Sequence, residues 1–157
     1  MITTFKPKSI SWHPLCRFVT KEAIARLLKV PVKHIYRVRL WFRVILVVGK
    51  GISRFVSYAD LPPILGVDLP QGRDYDYWRR RWPGKYAPDF WVEFYQQHFQ
   101  QATSMGQLFA WGKLVGSIKH LLTPEGLESL RSLYRQKKDL FQTGKNHRVT
   151  ETISFSK

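Results

Sequence analysis

The sequence predicts an α+β fold, with a compact helix-and-strand unit first and a purely helical region after it. Two changes of period predict this. Between Leu40 and Ser57 the residues become β-branched and aromatic around a central Gly-Lys-Gly, the composition of a hairpin. Beyond Phe90 the apolar residues recur at the three- and four-residue spacing of a helix. The chain has material for both. Its 157 residues suit one medium domain or two small ones, and 44% apolar with 15% aromatic content can supply a core.

The elements follow in order. Residues 1–18 read as an extended lead-in with Pro7 and Pro14. Thr20 can cap a helix running to about Lys29, with Ile24, Leu27 and Leu28 on one face. Val30-Pro31 breaks it, and proline suits the first position of a second helix over 31–38. That helix carries Lys33, His34, Ile35, Tyr36 and Arg37. A strand from Leu40 to Val48, a turn at Gly49-Lys50-Gly51 and a returning strand Ile52–Ser57 make a hairpin over 40–57. Tyr58 to Leu61 opens a short helix that Pro62-Pro63 stops.

Residues 67–88, rich in Gly, Pro, Arg and aromatics, read as a basic aromatic connector. Three helical stripes come next. Phe90, Trp91, Phe94 and Tyr95 form the first, and Leu108, Trp111, Val115, Ile118 and Leu122 the second. Thr123-Pro124 starts the third, which carries Leu127, Leu130, Tyr134 and Phe141. The chain therefore divides into residues 1–66, the connector, a helical region 89–143 and a loose polar tail 144–157, without internal repeats.

Charge is the strongest global signal. Twenty-six Lys and Arg against 11 Asp and Glu leave +15, and a field of that sign draws in polyanions, chiefly DNA or RNA and less often anionic membranes. The single cysteine, Cys16, allows no disulfide framework and fits a reducing cytoplasm. The N-terminus lacks a signal-peptide core, and the apolar run LWFRVILVVG is half a membrane span and contains Arg43. The expected location is cytoplasmic, with the nucleoid.

The stretch KEAIARLLKVPVKHI meets the steric needs of a helix-turn-helix. Ala25 is the small residue at the crossing, Leu28 and Val30 flank the turn, and Ile35 locks the pair. Lys29 stands where glycine is usual, although a lysine reaches positive φ only with strain. With the hairpin and short helix after it, the arrangement is a winged helix-turn-helix.

ARLLKVPVKHIYR at 25–37 and GKGISRFVSYADL at 49–61 resemble the DNA-binding domain of the MerR superfamily and its excisionase-like relatives. The likeness covers about 45 of the 157 residues. It extends to the compact, effector-free MerR-like repressors associated with cyanobacterial CRISPR-associated transposons. The chain departs from the family at Tyr36-Arg37-Val38-Arg39, where Arg-Tyr-Tyr-Glu is usual, and at Pro62-Pro63, which shortens the helix pair after the wing. It also lacks the paired cysteines of metal-sensing members.

Groove geometry then selects the contacts. A recognition helix presents its first turns to base edges, so Lys33, His34, Tyr36 and Arg37 are the candidates for the major groove. Lys50, Ser53 and Arg54 on the wing, with Arg39, Arg43 and Tyr58, are candidates for backbone contacts. Ile52 and Phe55 are expected in the core. Within the connector, Trp78 and Trp82 are expected to be structural, while Arg79, Arg80 and Arg81 supply phosphate contacts.

No catalytic constellation is legible. His13 and Cys16 lack further ligands at metal spacing, and GKGIS lacks the phosphate-loop spacing. Asp74 and Asp76 lie beside the arginines and are expected to pair with them. Neither an enzyme, a cofactor, a metal nor a small-molecule effector is expected.

A short helical region has little interior. Phe90, Trp91, Phe94, Leu108, Trp111, Val115, Ile118, Leu127, Leu130 and Tyr134 are therefore expected to form a homodimer interface. The expected function is a homodimeric, sequence-specific regulator of double-stranded DNA, repressing by covering a promoter at an inverted repeat. The alternatives are an architectural or excisionase-like DNA-bending protein of a mobile element, an RNA- or ribosome-associated protein, and, most weakly, a membrane-surface protein.

Overall fold

A computed structural model describes residues 13–154, with side chains as far as 144. The chain divides into two compact units, 1–83 and 84–157. It is mixed α+β, with a three-stranded antiparallel sheet after an N-terminal helix and further helices beyond. The first part of the expected extended lead-in, residues 1–12, lies outside the described residues.

In the first unit a 3-10 turn, Pro14–Phe18, precedes α1, Lys21–Leu28. Thr20 caps α1 by accepting the Ala23 amide at 3.1 Å. The helix ends in a Schellman motif. The Val30 amide reaches the Ala25 carbonyl at 3.0 Å and the Lys29 amide reaches Arg26 at 3.3 Å, with Lys29 left-handed at φ 57°. Ala25 and Ile35 are both buried, and α1 packs on the strand that Ile35 begins.

The expected helix 31–38 does not form. Pro31 is extended, Val32–His34 makes a single 3-10 turn, and β1 runs Ile35–Leu40. The Lys50 amide donates to the His34 carbonyl at 2.8 Å, which ties the chain to the hairpin turn where a helix would have continued. A side chain at Gly49 would put its Cβ 2.0 Å from that carbonyl, so the close approach requires glycine. From Arg37 the sequence alternates Arg37 and Arg39 with Val38 and Leu40, which is a strand period.

The hairpin matches its expected position. β2 runs Val44–Gly49 and β3 runs Ile52–Ser57, in the order β1-β2-β3. Gly51 supplies the positive φ at the turn, 67°. Ile45, Val47 and Val56 point from one face into the core with Leu15, Phe18 and Ile24. A 3-10 turn, Tyr58–Asp60, follows and ends before Pro62-Pro63.

The stretch read as a connector holds a helix, α2, Gly72–Arg81. Gln71 and Asp74 form a reciprocal capping box at its start. Asp74 is fully buried and pairs with Arg17 at 2.5 Å. Arg17 also donates to the carbonyls of Pro14, Asp68 and Leu69, so one guanidinium clips the first 3-10 turn to the entry of α2. Trp78 is fully buried, as a structural residue should be, while Trp82 is half-buried.

The second unit is helical. α3 runs Phe90–Gln101, α4 Met105–Ser117 and α5 Pro124–Ser154, and each packs on the other two. The tail expected to be loose continues α5 as far as Ser154, because no proline interrupts the chain after Pro124. Phe94, Tyr95, His98 and Trp111 form an aromatic cluster in which His98 stacks on Trp111 at 4.0 Å.

This packing corrects the dimer surface. Phe90, Trp91, Phe94, Leu108, Val115, Ile118 and Leu130 are buried within the single chain, and Trp111, Leu127 and Tyr134 are half-buried. Small residues let the helices approach closely enough to do this. A Cβ at Gly112 would fall 2.5 Å from the Tyr134 ring. The ten side chains expected between two copies are chiefly the core of one.

Candidate nucleic-acid interface

Directly opposed residues of an antiparallel sheet share a face, so the register assigns every strand side chain. One face is the core face just described. The other collects Arg37 and Arg39 from β1, Val44, Leu46 and Val48 from β2, and Ser53, Phe55 and Ser57 from β3. Two rows cross it: Arg39–Leu46–Phe55 and Arg37–Val48–Ser53. Arg37, Arg39, Ser53 and Phe55 are exposed and the β2 residues half-buried. The sheet thus presents a cationic edge column, an aliphatic middle column and an aromatic side chain.

The turn between β1 and β2 adds to this face. Trp41 is 47% exposed, and its ring meets Phe55 edge-on at 5.2 Å, reaching across β2 to do so. Phe42 and Arg43 occupy the tip, where glycine, asparagine or aspartate would be usual. Phe42 is 61% exposed, with the Arg43 guanidinium 5.9 Å from its ring. Beneath, the Trp41 backbone is held at two points. Its amide donates to the Val44 carbonyl at 2.9 Å, and its carbonyl accepts the Tyr58 hydroxyl at 2.5 Å.

Tyr58, expected to meet a phosphate, instead spends its hydroxyl on Trp41. It is buried, and burial pushes its phenol up to about 12, so the proton stays available for Trp41. Its ring also stacks on His13 at 4.4 Å.

The electrostatics of the sheet are one-sided. From Ile35 to Ser57 the sequence holds Arg37, Arg39, Arg43, Lys50 and Arg54, with no Asp or Glu. All five are exposed, and none has an ion pair among the described residues. Three carboxylates elsewhere in the unit have arginine partners: Asp74 holds Arg17, Asp60 holds Arg81 at 2.9 Å and Asp76 lies 3.7 Å from Arg79.

The other expected contacts disperse. Lys33 is exposed in the 3-10 turn, and His34 is half-buried with its carbonyl engaged by Lys50. Tyr36 is 62% exposed at the irregularity of β1, between Ile35 and Arg37. Lys50 is at the β2–β3 turn, and Arg54 opposes Val47, so it leaves the sheet on the core side. Arg79, Arg80 and Arg81 lie on α2, which packs on the Tyr58–Asp60 turn. Arg81 is committed to Asp60, whose hydrogen bond raises its already high pKa further, and Arg79 and Arg80 lie over Tyr75 and Tyr77. Asp74, expected to pair with these arginines, pairs with Arg17 instead.

Phe55, expected in the core, is 57% exposed. It, Trp41, Phe42 and Leu46 are the functional candidates that the linear sequence did not give. The signal was the turn at Lys50-Gly51: pairing outward from it sets Phe55 opposite Leu46 and Val56 opposite Ile45.

Among the described residues no group of His, Cys, Asp and Glu could hold a metal ion, and no helix is long and apolar enough to cross a membrane. The chain matches no family model, no curated protein and no solved structure.

Proposed function

We propose that this chain is a DNA-binding regulator that engages nucleic acid through the open face of its sheet, acting by occupancy and performing no chemistry. One observation carries the reading. Exposed Arg37 and Arg39, with Arg43 at the adjoining turn and no carboxylate among them, share the open sheet face with an exposed aromatic pair. Cations free of internal partners are available to displace the counterions of phosphate. Aromatic and aliphatic surface beside them gives bases something to rest on.

Of the winged reading, the hairpin Val44–Ser57 with Lys50 at its turn is retained. The contacts assigned to a recognition helix pass to Arg37 and Arg39 of β1.

The test is a salt series on the full chain and on the Arg37→Ala/Arg39→Ala double variant, read by anisotropy of a short labelled DNA. Each phosphate contact contributes roughly 0.7–0.9 to the slope of log affinity against log salt. The double variant is expected to flatten that slope by roughly 1.4–1.8 while its melting temperature stays unchanged. An unchanged slope removes the sheet from the interface.

A further inference from the structure

We infer that the open sheet face takes single-stranded DNA, with unpaired bases lying on the Phe55–Trp41 pair and the phosphates running along Arg37 and Arg39. The inference rests on the proposed DNA-binding function and narrows it to one form of the ligand.

Two features select an unpaired strand. The first is width. The major groove admits a helix or a two-stranded ribbon, and this sheet has three strands. The second is chemistry. The middle column, Val44, Leu46 and Val48, offers nothing to hydrogen-bond a base edge, whereas the faces of separated bases can lie on it.

DNA is favoured over RNA by what the face lacks. Its uncharged polar strand residues are Ser53 and Ser57, and the Ser57 hydroxyl already accepts the Ala59 amide at 3.3 Å. Little remains to recognise a 2′-hydroxyl. A second copy of the chain is a poor occupant, because the face would meet its own arginines with no carboxylate to offset them. Preorganisation supports the assignment. The Tyr58 hydroxyl and the Val44 carbonyl fix the Trp41 backbone, so the platform needs little ordering on binding.

The experiment titrates the full chain with fluorescein-labelled oligo(dT), a duplex of the same length and oligo(rU) at fixed moderate salt. The variants are Phe55→Leu, Trp41→Leu and the conservative Trp41→Phe, each checked by circular dichroism and melting. The expected order is oligo(dT) tightest, with a preference over duplex of tenfold or more. Phe55→Leu and Trp41→Leu are each expected to lose roughly tenfold on oligo(dT) with duplex affinity unchanged, and Trp41→Phe to keep most of it. Duplex binding as tight as oligo(dT), or leucine variants that bind oligo(dT) like the parent, would overturn the stacking platform. The sheet interface would then still stand on the arginine salt series. Tighter binding to oligo(rU) overturns the choice of DNA. Self-association of the free chain that Phe55→Leu abolishes overturns the choice of occupant. Absence of binding to all three ligands defeats both this inference and the function on which it rests.

Discussion

At Lys29 the chain turns through the left-handed region with a side chain attached, at φ 57° and ψ 45°. An L-residue there is strained by roughly 1–2 kcal/mol, because its Cβ crowds the following carbonyl. Glycine relieves the strain but has more freedom to lose on folding, so Lys29→Gly is expected to stabilise the first unit by about 0.5 kcal/mol in urea unfolding. His13 carries a second residue-scale expectation. Burial lowers its pKa below the ordinary value, with Asp74 pulling the other way, and the ring lies against Tyr58 and Tyr77. Its Nδ1 accepts the Leu15 amide at 3.1 Å, a bond that protonation of that nitrogen would remove. The folded state thus favours neutral imidazole, while the unfolded chain takes a proton at the ordinary value near 6.5. The stability this group contributes is present above that value and is lost as pH falls through the lowered one. A melting series from neutral pH downward should show a fall that His13→Asn reduces, since asparagine keeps an acceptor but cannot charge.

At the scale of elements, the Arg17–Asp74 clip ties the first 3-10 turn to the start of α2. Asp74 is fully buried, so Asp74→Asn leaves a guanidinium with a neutral partner and is expected to cost about 3–5 kcal/mol in chemical unfolding. In the helical unit the corresponding test separates core from interface. Leu130 is buried in the single chain, so Leu130→Ala should lower stability by roughly 2–5 kcal/mol at any protein concentration. A residue holding two copies together would instead show an effect that depends on concentration. The elements also show what linear pattern conveys. The hairpin was legible because β-branched runs flank a glycine turn, and α1 because Thr20 and the apolar spacing mark it. β1 was not, because Pro31 followed by basic residues reads equally as a helix start, and the His34–Lys50 tie that decides the matter spans 16 positions. α2 was hidden by its composition, since arginines and aromatics stand where an apolar stripe would announce a helix.

For the whole molecule, composition spoke to charge and left its location open. The excess of +15 raises the expectation of a polyanion partner, but only pairing shows which cations have none of their own. Arginines 79–81 looked the densest patch in one dimension; in three, Arg81 closes on Asp60, while the sparser Arg37 and Arg39 share an open face. The side chains expected at a dimer surface were misplaced for a related reason. Apolar stripes tell that a face is covered, not by what, and here the three helices cover one another. Most direct of all tests is ultraviolet crosslinking of the full chain to a DNA oligonucleotide, with the adducts located by mass spectrometry. Adducts confined to Ile35–Ser57, with Trp41 and Phe55 foremost, are the predicted result. Adducts on α2 or the helical unit, with the sheet unmodified, would contradict the assignment of the open face as the nucleic-acid surface.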